Sequence, residues 1–369
     1  MVYDRESRAT SCQTNPWHGG KEDYDSKSKN CCPEAPGDAG RSLYRLILRF
    51  NVPLLKHPGS TAASLPLFTT SMKKKYLVAS FALILLLAAI LVFALRDDEP
   101  VSPSRFVEPD KLFETLQANI RNQPGFEVIV DIDHARLAAE VGSPMPPSHV
   151  LIWSDPELEA AILNHNPLAA IDLPLRVLAF EDQKTGKAAV IANSYDFVAQ
   201  RYSLPDDAIV RERYENALAK ATKGIPETVI AKFPSDTMTD LGLITLDSPH
   251  DFATTEKLIL ETIHAQADTV SFGVVDFTAR SREHGVALEP LRLILFGAPG
   301  PGGKAMASAP TLGLDAFCQK FLIWQDEGGS VHVSFNDLLA LAKRQNVSGG
   351  LPLRVINHRL KKTFSTALE

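Results

Sequence analysis

The chain has 369 residues, 45% of them hydrophobic and 22% charged, which fits a globular protein with room for two domains and excludes a mostly disordered one. Residues 1–76 hold 12 Lys and Arg against 7 Asp and Glu, while the remainder holds 26 against 37 and is acidic. An acidic body repels phosphate backbones, so no nucleic acid partner is expected.

Residues 1–71 are rich in Gly, Pro, Ser and Lys, lack sustained periodicity and carry Cys12, Cys31 and Cys32. They read as a disordered or non-native N-terminal extension, with Met72 and its three following lysines as the natural start of an exported protein. From Tyr76 to Leu95 the chain carries no charge in 20 residues. A helix of that length spans roughly 30 Å at ~1.5 Å per residue, so residues 76–95 are expected to anchor the chain in a membrane. Lys73, Lys74 and Lys75 place the N-terminus in the cytoplasm and the body outside it, in the periplasm if the source is a bacterium. A cleaved signal peptide is the alternative. Its apolar region runs to only roughly 7–15 residues, however, and Val92-Phe93-Ala94 is a mediocre cleavage site. Cys318 stands alone in the body, so no disulfide forms there and a buried, inert thiol is expected; adjacent Cys31 and Cys32 lack zinc spacing.

The body is one module written twice, over residues 105–225 and 240–369. A shift of 143 residues lays Asp133 on Asp276, Gly142 on Gly285, Pro147 on Pro290, Pro156 on Pro299, Pro167 on Pro310, Asp172 on Asp315 and Asn193 on Asn336. In each copy the periodicity predicts a helix (109–122 and 251–265), then a strand (126–132 and 269–275). A second helix (135–141 and 278–284) ends at Gly142 or Gly285. A buried strand follows (150–153 and 293–296), and then a hairpin of 175–181 with 188–192, matched by 320–325 with 331–335. A last helix (206–223 and 353–368) closes the copy. The fold class expected is α+β: two tandem two-layer sandwich modules, each a mixed or antiparallel sheet with helices on one face, after one N-terminal transmembrane helix. The two modules are expected to pack as a pseudo-symmetric pair.

Ile132-Asp133-His134-Ala135, Gly142, Pro147, Leu151-Ile152, Pro156 and Ile171-Asp172-Leu173-Pro174 with Glu181-Asp182 resemble the family catalogued as domain of unknown function 302. So do Leu295-Phe296-Gly297-Ala298-Pro299, Gly313-Leu314-Asp315 and Trp324-Gln325-Asp326 in the second copy. The resemblance implies a fold and little chemistry. The family's Asp-His pair stays as Asp133-His134 but becomes Asp276-Phe277, so only the first copy keeps its histidine.

The candidate binding residues are Asp133, His134, Trp153, Asp172 and Asp315. His134 offers an acid, base or ligand near neutral pH. The competing reading makes Asp133 an N-cap and His134 a first-turn residue. Asp172 and Asp315 either line a pocket or bond loop backbone. Whether His134, Asp172 and Trp153 converge on one cavity separates these readings. No metal ligands are specified, since His149 and His165 have nothing to bring them together, and no cofactor is indicated. Gly297 to Lys304 fails the phosphate-loop pattern and reads as a surface loop. The expected function is a membrane-anchored module that binds a small ligand or a protein. A structural pseudo-dimer, or an enzyme centred on Asp133, His134 and Asp172, is the alternative.

Overall fold

The computed structural model describes residues 100–369 except Asp236, Thr239 and Gly349. The apolar segment 76–95 and residues 1–71 lie outside the described residues. Among the described residues no helix is long and apolar enough to cross a membrane.

The first module opens with a 3-10 turn and helix α1 (Val107–Arg121), followed by β1 (Glu127–Asp133), α2 (His134–Glu140), β2 (Ser148–Ser154) and α3 (Pro156–Leu163). A 3-10 helix (Pro167–Ile171) leads into β3 (Leu175–Asp182), β4 (Lys187–Ala192), α4 (Tyr195–Tyr202) and α5 (Ala208–Ala221). The second module repeats this order with β5 (Leu243–Ser248) placed before it. It continues with α6 (Phe252–His264), β6 (Val270–Asp276), α7 (Phe277–Glu283), β7 (Leu291–Gly297) and α8 (Pro299–Met306). A 3-10 helix (Pro310–Leu314), β8 (Gln319–Gln325), β9 (Val331–Asn336), α9 (Leu338–Arg344) and α10 (Leu351–Leu368) complete it. The strand orders are β1-β2-β3-β4 and β5-β9-β8-β7-β6, and all neighbours are antiparallel. The α+β tandem modules are therefore present.

The register of the repeat survives in fine detail. Asp133 and Asp276 each cap the following helix, accepting from the backbone N–H groups of Arg136 and Ala279. Both edge strands β1 and β6 carry a bulge at the same position, between Val128 and Val130 and between Ser271 and Gly273. Helix α1 buries Phe113, Leu116 and Ile120, spaced three and four apart, in the core of its sheet.

Three features depart from the sequence reading. First, each sheet is covered on both faces. Along β7, Ile294 and Phe296 join a core with Ile259, Ile263 and Phe364 of their own helices. The alternate residues Leu291, Leu293 and Leu295 join the core of the first module. A strand buried on both faces reads as one continuous apolar run, so its second face cannot be read from periodicity.

Second, Gly297 to Lys304 is not a loop throughout, because residues 299–306 form α8. Pro299 is tolerated at the first turn, and the helix docks on α2. A Cβ at Gly303 would come within 2.6 Å of Ala138 Cβ and 2.5 Å of Ser143 O. The glycines thus allow a close helix crossing between modules. The reciprocal contact is made by α3 on α7. Third, α4, α9 and β5 are additional elements. In place of β5, the first sheet has the linker, where Ile230 makes a single parallel bridge to Val190.

Candidate functional site

Asp172 and Asp315 each cap a 3-10 helix that reaches across the module boundary. Both are about 2% exposed. Neither faces solvent; each meets arginines. Arg201 on α4 donates from Nη1 to Asp172 Oδ2 at 2.8 Å and from Nη2 to Asn336 Oδ1 of the other module at 2.8 Å. Arg344 on α9 donates from Nη1 to Asn193 Oδ1 of the first module at 2.8 Å and lies 3.6 Å from Asp315 Oδ2. Arg201 and Arg344 are 143 residues apart, as are Asn193 and Asn336. Each arginine therefore pairs with its own module's aspartate and with the other module's asparagine. The contacts are thus reciprocal across the module boundary.

Two residues break the symmetry. Arg176 has Gln319 as its counterpart and bridges both carboxylates. It donates from Nε to Asp315 Oδ1 at 2.7 Å and from Nη2 to Asp172 Oδ1. Lys320, whose counterpart is Val177, donates from Nζ to the Asp315 carbonyl at 2.9 Å.

Burial alone would raise the Asp172 carboxyl, but Arg201 and Arg176 outweigh it and hold it below the usual range. Asp315 is lowered in the same way against burial, by Arg176 and Lys320. Burial pushes the Lys320 ammonium down to about 8. The Tyr202 hydroxyl, which donates to Asp172 Oδ2 at 2.9 Å, is raised well above its ordinary value by burial. Sealed and ionised among arginines, with Asp315 Oδ2 meeting only Arg344 at 3.6 Å, Asp172 and Asp315 serve cohesion rather than acid–base chemistry.

The remaining candidate residues separate. Trp153 is fully buried in the core. His134 is 5% exposed and donates from Nε2 to the carbonyl of Gly313 across the boundary at 3.0 Å. Burial lowers it to about 4, so it is neutral near pH 7 and acts as a donor. Asp133 caps α2 and pairs with Arg136. None of His134, Trp153 and Asp172 lines the cleft bounded by α1, α2 and α8. Cys318 is buried, and burial pushes its thiol up to about 11, which leaves it inert.

That cleft, of about 730 Å³, is lined by residues of the 100–145 stretch, and among the described residues Lys304 alone reaches it from the second module. Its walls are Val101, Phe106, Val107 and Met145, with Arg136 and Asp110 on one side and Lys304 of α8 on the other. Beside it stands a small polar group. The β1–β2 register sets His149 opposite Asp133, and ligand atoms of Asp110, Asp133 and His149 all lie within 4.8 Å of one another. Another buried carboxylate, Glu159 on α3, faces Arg280 of α7 at 3.9 Å. Burial raises it to about 7, with Ser154 and Arg280 offsetting only part.

Sequence reasoning assigned no role to Arg176, Arg201 or Arg344, and it named His149 but set it aside for want of a partner. The repeat shift of 143, carried past Asn193 and Asn336, would have found the arginine pair.

The sequence model of a family described as Domain of unknown function DUF302 matches residues 102–221 and 244–365. Curated relatives include proteins named Fluoride-specific ion channel FluC 1 from Brucella suis and from Brucella abortus. Each is 35% identical over 117 residues, or 31% of this chain; the match covers 44% of the first and 42% of the second. The chain thus spans less than half the length of these relatives. A crystal structure of an uncharacterized conserved DUF302 protein from Bacillus stearothermophilus is similar at 16% identity, with a TM-score of 0.30, over 35% of this chain and 96% of that one.

Proposed function

The chain belongs to the DUF302 family, a domain family of unknown function, and from that premise we propose that it is a membrane-tethered, extracytoplasmic binding protein. The two modules act as an internal pseudo-dimer, and a small amphipathic ligand with an anionic end is held in a cleft of the first module that Lys304 of the second reaches. The observation that carries this reading is the cleft itself, about 730 Å³, lined by residues of the 100–145 stretch and reached by Lys304 of the second module. That volume is in the range of small-molecule sites, which are mostly apolar with a few placed polar groups. Lys304, exposed at the rim, offers an ammonium to an anionic head, while Val101, Phe106 and Met145 offer the apolar wall. The charge-free run at 76–95 supports the tether, and the lysines before it support the orientation.

The site candidates Asp172 and Asp315 serve the pseudo-dimer in this reading, since both are spent on arginines. A scaffold without ligand is the second reading. It draws support from the reciprocal arginine–asparagine contacts.

The test uses the full chain in lipid nanodiscs with octanoate as the probe and fluoride beside it, because the curated relatives carry that name. A ligand that binds only the folded state at about 100 times its Kd stabilises by ~2.7 kcal/mol. Octanoate is expected to raise the melting temperature saturably, and Ala139→Trp, which fills the cleft from an exposed position, is expected to abolish the rise. No rise, or an equal rise in Ala139→Trp, would contradict the ligand reading. For the tether, a C-terminal tag is expected to be cut by protease added to the outer face of right-side-out vesicles; full protection would contradict it.

A further inference from the structure

We propose that Asp110, Asp133 and His149 form a divalent transition-metal site of the first module, with Arg136 as a built-in cation that the metal displaces. The site adjoins the cleft through Asp110, but its test does not depend on any cleft ligand.

Three observations carry the inference. His149 is oriented like a metal-binding imidazole. Its Nε2 lies 2.6 Å from Asp131 Oδ1 and donates to it, which fixes the ring and turns Nδ1 inward. Nδ1 is shielded from solvent, has no hydrogen-bond partner and lies 3.8 Å from Asp133 Oδ2. Phe113 stacks on the ring at 3.3 Å between centroids and holds it in place. A ring nitrogen set beside carboxylates calls for a positive centre between them, which a divalent metal supplies.

The second module shows the same place filled by a cation. In the matching register Arg292 stands opposite Asp276. Its guanidinium bonds to Glu256 and to Asp276 Oδ2, the latter at 3.1 Å. The position equivalent to Arg136 is Ala279, so the two modules supply their positive charge from different elements.

Arg136, finally, is placed to leave. Its guanidinium holds Asp110 Oδ2 at 2.7 Å and also bonds Asp133, yet half of its side chain is exposed and lies along the cleft. Asp110, Asp131 and Asp133 outnumber this one guanidinium, which favours an ion of higher charge. One imidazole with two carboxylates suits Mn²⁺, Fe²⁺, Co²⁺ or Zn²⁺ better than Ca²⁺ or Mg²⁺, and three protein ligands leave positions open toward the cleft.

The probe is Mn²⁺ alone, whose free concentration is read by electron paramagnetic resonance, on the full chain in nanodiscs with its cysteines alkylated. One equivalent is expected to bind saturably. Arg136→Gln is expected to bind at least about 10-fold more tightly, because a like charge is removed beside the ion. His149→Arg, which copies Arg292, is expected to keep the melting temperature and to lose the bound equivalent. Asp131→Asn keeps all three ligands and is expected to weaken binding by about 10-fold or more through loss of ring orientation. It carries the test if His149→Arg fails to fold. No saturable binding by either wild type or Arg136→Gln would overturn the proposal. So would binding by Asp131→Asn and folded His149→Arg equal to that of wild type.

Discussion

Replacing Asp315 with alanine is expected to cost about 3–5 kcal/mol of stability, the largest loss from any single substitution at the module boundary. The carboxylate takes Arg176 Nε at 2.7 Å and Asn193 Nδ2 at 3.2 Å, with Arg344 3.6 Å away. Its removal leaves Arg176, Arg201, Arg344 and Lys320 buried with Asp172 as their remaining partner. Uncompensated buried charge, rather than one lost hydrogen bond, sets the magnitude. Arg176→Gln introduces the residue the second module already has at that place, Gln319. In the Asp315→Ala background it removes one of the stranded charges, so the double variant is expected to lose clearly less than the sum of the two single losses. Urea midpoints of the full chain read both effects. A loss below about 1 kcal/mol for Asp315→Ala would show that the cluster is not the buried, coupled unit described.

The second large effect appears with pH. His134 falls from 6.5 to about 4 on folding, so its neutral form is favoured in the native state. The stability it contributes is present above pH 6.5 and lost as pH falls toward 4. Glu159 rises from 4.5 to about 7, so its contribution is present below pH 4.5 and lost as pH rises toward 7. Each shift corresponds to about 3 kcal/mol as an order of magnitude. The two slopes oppose each other over the same window, and the wild type is expected to change little between pH 4.5 and 6.5 on their account. Glu159→Gln leaves the His134 slope alone, so stability is expected to fall on acidification. His134→Phe, which copies Phe277 of the second module, leaves the Glu159 slope and is expected to fall as pH rises. The Gly313 carbonyl loses its donor in that variant, which shifts the whole curve without tilting it. Parallel curves for wild type and both variants would contradict the assignment.

How far the fold was legible depended on whether a feature repeats along the chain or only across it. Asp172 and Asp315 announce themselves because the same residue recurs at the same place in each copy. Arg201 and Arg344 recur equally well, but on short helices whose eight and seven residues give too little periodicity to be recognised. Helix α8 hides behind Gly and Pro because its helicity is stabilised by docking on α2 rather than by propensity. Strand β5, LITLDS, alternates over only six residues. The His149–Asp133 pairing is fixed by strand register, which no spacing within the sequence reveals. The roles of Asp172 and Asp315 were legible only in part. Recurrence points to importance, while the choice between pocket and seal is made by arginines that come from other elements and from the other module.

The proposed pseudo-dimer rests on two equivalent contacts, Arg201 with Asn336 and Arg344 with Asn193. Two double-mutant cycles, Arg201→Met with Asn336→Ala and Arg344→Met with Asn193→Ala, measure both couplings in the full chain. Each coupling is expected to be at least about 1 kcal/mol, and the two similar in size. Couplings near zero in both cycles would contradict the pseudo-dimer.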